Sequence, residues 1–130
     1  MIVVDATVLA PALVDEGSDG ERARERLDGE ELAAPELIDL EVASVLRRGL
    51  QAGRLDERRA GQALIDLADM PLSRTPHLPL ITRIWELRAT MNPYEASYVA
   101  LAEALDAVLL TADIGLSRAT GLRCQVELLG

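Results

Sequence analysis

The sequence predicts an α/β fold, a three-layer α/β/α sandwich on a mainly parallel sheet, and three observations carry that expectation. Met1-Ile2-Val3-Val4 and Val108-Leu109-Leu110 are apolar without alternation, the pattern of strands buried on both faces. Stretches with helical spacing of apolar residues fall between the strand candidates. Hydrophobic residues make up 49% of the chain while aromatics are 2% and Phe is absent, so Leu, Val, Ile and Ala must build the interior. At 130 residues, a single domain over 1–130 is expected.

In chain order, Met1 to Val4 opens as a strand that Asp5 closes, with Thr7 following. Pro11 to Gly20 carries acids and glycines and reads as a loop in which Asp15, Glu16 and Asp19 are solvated. Ser18 with Glu21 forms a capping box for a short helix ending near Leu27. Glu31-Leu32-Ala33-Ala34 is a second strand candidate, and Pro35 opens a helix from Glu36 to about Leu50, stopped by Gly53. On that helix Leu37, Leu40, Ser44, Val45 and Arg48 share a stripe with Glu41, which aims Glu41 to the core side, with Asp39 about 200° away. Asp56 begins a helix to about Asp69, and Pro71 ends it.

Leu72-Ser73-Arg74-Thr75 is a third strand candidate, and His77, between Pro76 and Pro79, reads as a surface-loop residue. Ile81, Ile84, Trp85 and Arg88 define an amphipathic helix on which Trp85 is either core or an oligomer contact. Asn92 caps and Pro93 opens the next helix, whose apolar face is Tyr94, Tyr98, Leu101 and Leu105, with Glu95 at its margin. Val108 to Leu110 is the second fully buried strand, and Asp113 stands just beyond its end. Ile114 to Ala119 then reads as a short helix and Cys124 to Leu128 as an edge strand.

The net charge of −9 arises from 22 acids against 13 bases, all of them Arg. Such a chain does not bind nucleic acid through overall charge; a polyanion partner needs clustered Arg or metal ions. Arg47, Arg48, Arg54, Arg58 and Arg59 gather at one helix-to-helix junction, either as an ion-paired turn or as an RNA or partner contact. Cys124 is the only cysteine, which excludes an internal disulfide. With no basic leader and no run of transmembrane length, the expected location is cytoplasmic, away from any membrane.

Four acids are placed to face inward: Asp5 and Asp113 just past apolar strands, Glu41 and Glu95 on helices. A carboxylate beyond the carboxyl end of a buried strand sits where open α/β sheets build their sites, and parallel neighbouring strands would bring Asp5 and Asp113 to one rim. Each acid also has a structural reading. Glu95 and Asp113 suit helix caps, and Asp5 can simply end a strand. Glu41 on an apolar stripe needs a partner. Carboxylates held together either take up protons or recruit a hard cation, and an oxygen-only set favours Mg²⁺ or Mn²⁺. Such an ion activates water and neutralises phosphate, so phosphodiester hydrolysis is the natural reaction class.

The chain resembles the PIN-domain ribonucleases, especially VapC toxins of toxin-antitoxin pairs, over nearly its whole length. The resemblance rests on Val3-Val4-Asp5-Ala6-Thr7-Val8-Leu9, Leu40-Glu41-Val42-Ala43-Ser44-Val45-Leu46-Arg47-Arg48, Tyr94-Glu95-Ala96-Ser97-Tyr98-Val99-Ala100-Leu101-Ala102 and Leu110-Thr111-Ala112-Asp113, in that order. It implies a PIN-like fold and a Mg²⁺- or Mn²⁺-dependent endoribonuclease, usually a homodimer, silenced by a VapB-like antitoxin. By position, Asp5, Glu41, Glu95 and Asp113 would form the catalytic, metal-binding set, with Thr7 supporting it. The family commonly has Asp where this chain has Glu95, a change of one methylene. A catalytically degenerate PIN domain that binds RNA or antitoxin is the alternative. Receiver domains and haloacid-dehalogenase-like phosphatases also place Asp after the first strand, but both rely on a lysine, which this chain lacks.

Overall fold

The computed structural model describes residues 1–130. Five strands, β1 (Ile2–Val4), β2 (Leu32–Pro35), β3 (Leu72–Thr75), β4 (Val108–Thr111) and β5 (Val126–Leu128), form one sheet in the order β3-β2-β1-β4-β5. Every pairing is parallel, and β1 lies in register between β2 and β4, with Ile2 opposite both Leu32 and Val108. Successive strand side chains point to opposite faces, yet Ile2, Val3 and Val4 are all buried, so both faces of the sheet are covered. This is the three-layer α/β/α arrangement expected from the non-alternating runs.

The covering helices are α1 (Ala6–Val14), α2 (Ser18–Leu27), α3 (Ile38–Gln51), α4 (Glu57–Asp69), α5 (Ile81–Glu86), α6 (Pro93–Leu105) and the single turn α7 (Ile114–Ser117). A 3₁₀ turn at Leu78–Leu80 leads into α5. The chain moves outward from β1 to β3, then returns across the sheet to β4 and β5. The switch between these two halves lies between β1 and β4, where their carboxyl ends open a crevice.

The structure corrects the sequence reading at several elements. The stretch after Asp5 is a helix from its first residue, although Pro11 lies inside it and forfeits one backbone hydrogen bond. Burial of Val8, Leu9 and Ala10 offsets that loss, and an uninterrupted apolar run gives no helical period to read. The Ser18–Glu21 capping box does not form. Gly17 is the N-cap of α2, and the Asp15 carboxylate instead accepts from the Gly17 N–H at 2.7 Å. Pro35 does not open α3 but ends β2, in register with Thr75.

On α3 the buried stripe is Ile38, Val42 and Leu46, while Leu40, expected in the core, is 75% exposed. Glu41 therefore sits at the edge of the stripe, half-buried. On α6 every residue from Ala96 to Ala102 is buried, whereas Tyr94 and Leu105 are exposed. The helix packs against β1, β2 and β4 and is enclosed nearly all round, so it has no single apolar face. Trp85 is 66% exposed, which removes its core reading, and the core side of α5 is Ile84. His77 is exposed, as expected for a loop residue. No helix is long and apolar enough to cross a membrane.

Candidate active site at the carboxyl rim of the sheet

The site is built where β1 and β4 end side by side. Asp5 follows β1, is 6% exposed, and acts as the N-cap of α1. Its Oδ1 accepts from the Thr7 N–H at 3.0 Å and from the Thr7 hydroxyl at 2.5 Å. Its Oδ2 accepts from the fully buried Thr111 hydroxyl at 2.5 Å. The two threonines then fasten the start of α1 to the end of β4. Thr7 Oγ1 accepts from the Ala112 N–H at 2.8 Å, and Thr111 Oγ1 accepts from the Asp113 N–H at 3.0 Å. Thr111 thus orients Asp5 and the backbone of Asp113 together, a role that sequence reasoning misses. A buried hydroxyl at the end of an apolar strand is the available signal.

Glu41 reaches the same space from α3, and its Oε1 accepts from the Tyr98 hydroxyl of α6 at 2.5 Å. That bond satisfies the need for a partner foreseen for Glu41. Helical spacing assigns Tyr98 only an apolar role, although a buried phenol must place its O–H on an acceptor. Glu95 sits on the first turn of α6. Its N–H donates to Asn92 Oδ1 at 2.8 Å, and its Oε1 accepts from Asn92 Nδ2 at 2.7 Å. Asp113 caps α7 by accepting from the Gly115 N–H at 2.9 Å. The cap foreseen for Asp113 forms and coexists with placement in the site, whereas Glu95 makes only half of a capping box, its carboxylate taking the Asn92 side-chain amide instead of the Asn92 backbone N–H.

Asp5, Glu41, Glu95 and Asp113 all line one cavity of about 270 Å³, together with Ala6, Thr7, Asn92, Tyr94, Tyr98 and Leu116. Its electrostatics are those of crowded carboxylates. Burial pushes the Asp5 carboxyl above its ordinary range, although the hydroxyls of Thr111 and Thr7 pull the other way. Glu41 is raised by burial, opposed by the Tyr98 hydrogen bond, and raised further by the charges of Asp5 and Glu95. Glu95 is raised by burial and then by Asp113 and Asp5. The phenol of Tyr98 is driven well above its usual value by burial and by Glu41, so it remains a donor.

Each acid is held by its own hydrogen-bond partners, and as they stand no three of them are arranged to ligate one ion. Their chemistry nevertheless fits a hard divalent cation. The set is all oxygen, each carboxylate keeps free lone pairs beyond its hydrogen bonds, and ions such as Mg²⁺ retain waters that bridge to carboxylates.

The arginines assembled from sequence are not brought to this cavity. Arg54 and Arg59 line a different one, of about 520 Å³, with Val14, Asp15, Glu16, Val45, Leu55 and Asp56. Arg59 donates to the Val14 carbonyl and pairs with Glu16, and Arg48 donates to the Ser44 hydroxyl at 2.8 Å. Arg47 and Arg58 also lie outside the lining of the acidic cavity.

Residues 2–122 match the PIN domain family model. Ribonuclease VapC9 of Mycobacterium tuberculosis is 43% identical over 126 residues, covering 97% of this chain and 96% of its own. Ribonuclease VapC1 of the same organism is 41% identical over 127 residues, with the same coverage. Among solved structures, Mycobacterium tuberculosis VapC20, described as a Sarcin-Ricin loop cleaving toxin, superposes with a TM-score of 0.73 at 15% identity, covering 94% of this chain and 96% of its own. The VapBC2 structure from Rickettsia felis, bound to a promoter DNA fragment, gives 0.71 at 15% identity over the full length of both chains. With a parallel sheet that switches between β1 and β4 and near full-length kinship to named ribonucleases, the chain belongs to the PIN-domain family, among the VapC ribonucleases.

Proposed function

We propose that this chain is the toxin of a VapBC-type toxin-antitoxin pair, an endoribonuclease that hydrolyses RNA phosphodiester bonds with Mg²⁺ or Mn²⁺. The observation that carries the reading is the convergence of Asp5, Glu41, Glu95 and Asp113 from four separate elements on one cavity at the switch point of the sheet. Kinship to named VapC ribonucleases over almost the whole chain supports it. A single PIN domain spans 1–130.

Asp5, Glu41, Glu95 and Asp113 would hold the ion, directly or through water. A bound Mg²⁺ or Mn²⁺ supplies the positive charge that draws the RNA phosphate in and acidifies a water for attack on it. The chain's own residues do the rest. Thr7 and Thr111 lock Asp5 in one orientation through both of its oxygens. Tyr98 steadies Glu41. Glu41 from α3 and Glu95 from α6 bring two further carboxylates to the same cavity.

The antitoxin partner follows from VapC kinship, and a cationic VapB-like segment suits both the acidic cavity and the net charge of −9. Ile81 and Trp85, one turn apart on α5 and both exposed, suit a homodimer contact, from which the buried Ile84 is excluded. Arg47, Arg48, Arg54, Arg58 and Arg59 would meet RNA or antitoxin away from the acids. A cytoplasmic location accords with the lone half-buried Cys124.

The test is cleavage of single-stranded and structured RNA by purified protein with Mg²⁺, with Mn²⁺ and with chelator, beside Asp5→Asn. Metal-dependent cutting that disappears in the variant is expected. A folded, inhibitor-free protein that cuts nothing on a broad panel would favour the degenerate binding module, a reading to which the hydrogen bond from Asn92 to Glu95 lends weight. Glu95→Asp would then be the variant to try.

A further inference from the structure

One wall of the acidic cavity is left unused by the chemistry of the acids. Tyr94 lies on the first turn of α6, immediately before Glu95, and lines the cavity while remaining 64% exposed. The chain has only two Tyr and one Trp. Tyr98 is buried with its hydroxyl on Glu41, and Trp85 lies outside the cavity with the Arg88 guanidinium 4.7 Å from its ring centre. Tyr94 is thus the one aromatic face presented to a molecule entering the site.

Its backbone is held in place. Pro93 occupies the first helical position, and Asn92 caps the turn on the Glu95 N–H. A tyrosine ring so anchored has only two torsions to order when it makes a contact. The charge balance gives such a contact a purpose. None of the five clustered arginines lines the cavity, and four carboxylates there repel a polyanion. A cation held by the acids would offset that repulsion at the phosphate itself but gives no hold on the neighbouring nucleotide, and stacking of a base on an aromatic ring is a contact that needs no cation.

We propose that Tyr94 is a nucleobase-stacking subsite: its ring packs on the base of a nucleotide adjoining the scissile phosphate while the acids act on that phosphate. The inference rests on the ribonuclease reading above and narrows its substrate. A base can lie on the ring only if it is free of its own stack, so the contact is made to an unpaired nucleotide beside the cut.

Steady-state cleavage of a single-stranded oligoribonucleotide with Mg²⁺ tests it, using wild type, Tyr94→Ala, Tyr94→Leu and Tyr94→Phe, each shown by its melting curve to be folded. KM is expected to rise about tenfold in the Ala and Leu variants, with kcat changed by less than about twofold, and to stay near wild type in Phe, which keeps the ring. Substrates with an abasic site at each nucleotide flanking the cut give a second arm. At one position the wild-type KM rises to the level of Tyr94→Ala, and the mutation then has no further effect. An unchanged KM in Ala and Leu, a Phe variant as impaired as Ala, or additive effects at every abasic position would overturn the subsite.

If the wild type itself does not cut, the ribonuclease reading fails. The stack is then decided by fluorescence anisotropy of the labelled oligonucleotide, where Tyr94→Ala must still weaken binding about tenfold or the proposal falls with it.

Discussion

Asp5 serves three functions with one carboxylate. It caps α1, receives the hydroxyls of Thr7 and Thr111, and lines the acidic cavity. Asn at this position keeps a capping oxygen but loses the charge, so Asp5→Asn is expected to lower RNA cleavage by about 100-fold or more while leaving the far-UV circular dichroism unchanged. Tyr98→Phe removes only the hydroxyl that holds Glu41. If Glu41 helps to hold the ion as proposed, Mn²⁺ affinity measured calorimetrically should weaken by about tenfold, with cleavage falling in parallel. An unchanged Mn²⁺ affinity would reduce Tyr98 to a packing residue. At this scale the sequence exposed the acids, since a charge next to an apolar run is conspicuous. It did not expose Thr111 or Tyr98, whose types are ordinary in strands and helices and whose roles exist only through partners 106 and 57 residues away.

Among the elements, α6 governs the architecture. It is enclosed on the sheet, carries Glu95, Tyr94 and Tyr98 to the cavity, and is tied to α5 through Arg83 and Glu103 at 2.7 Å, nearly shielded from solvent. The hydrogen bonds from Arg83 and from the Arg123 N–H hold the Glu103 carboxyl below its ordinary range despite the opposing effect of burial. A carboxyl group lowered by folding stabilises the protein above its unfolded pKa, here near 4.5, and loses that contribution as pH falls through the lower folded value. Glu103→Gln should therefore cost about 2 kcal/mol at neutral pH, between the effects of exposed and buried pairs, and the cost should shrink as the pH drops below about 4. Urea unfolding of both proteins from neutral to acid pH checks this; a pH-independent difference would count against it. Within the core, Leu9 on α1 is fully buried, and Leu9→Ala should cost about 2–5 kcal/mol. A loss well below that would mean that α1, the element least readable from sequence, contributes little to the core.

The molecule as a whole carries an electrostatic penalty at one rim. Asp5, Glu41 and Glu95 all have carboxyl groups raised by folding from ordinary values of 3.8 and 4.5. For an acid so raised, the penalty is absent below the unfolded pKa, grows as pH rises through the interval up to the folded value, and is complete above it. Chelated protein should therefore lose melting temperature from these groups on going from about pH 4 toward neutrality, against the opposite trend from Glu103 and Glu127. At neutral pH, Mg²⁺ or Mn²⁺ should raise the melting temperature of the wild type and have a smaller effect on Asp5→Asn. Equal shifts in both proteins would place the cation elsewhere.

The sequence by itself determined the layers and singled out the four acids that line one cavity. Strands without alternation can exist only between two helical layers, and a carboxylate beside such a run has to be managed by a partner or an ion. It could not reveal that the run after Asp5 is a helix, because an apolar stretch without a period is written alike for either element. Nor could it give the strand order, the side of α3 that faces inward, or the placement of the arginines away from the acidic cavity. These follow from which surfaces pack together, a property of pairs of elements rather than of any one segment. Tertiary structure alone brings β4 beside β1, and that single pairing turns two acids 108 residues apart into one site.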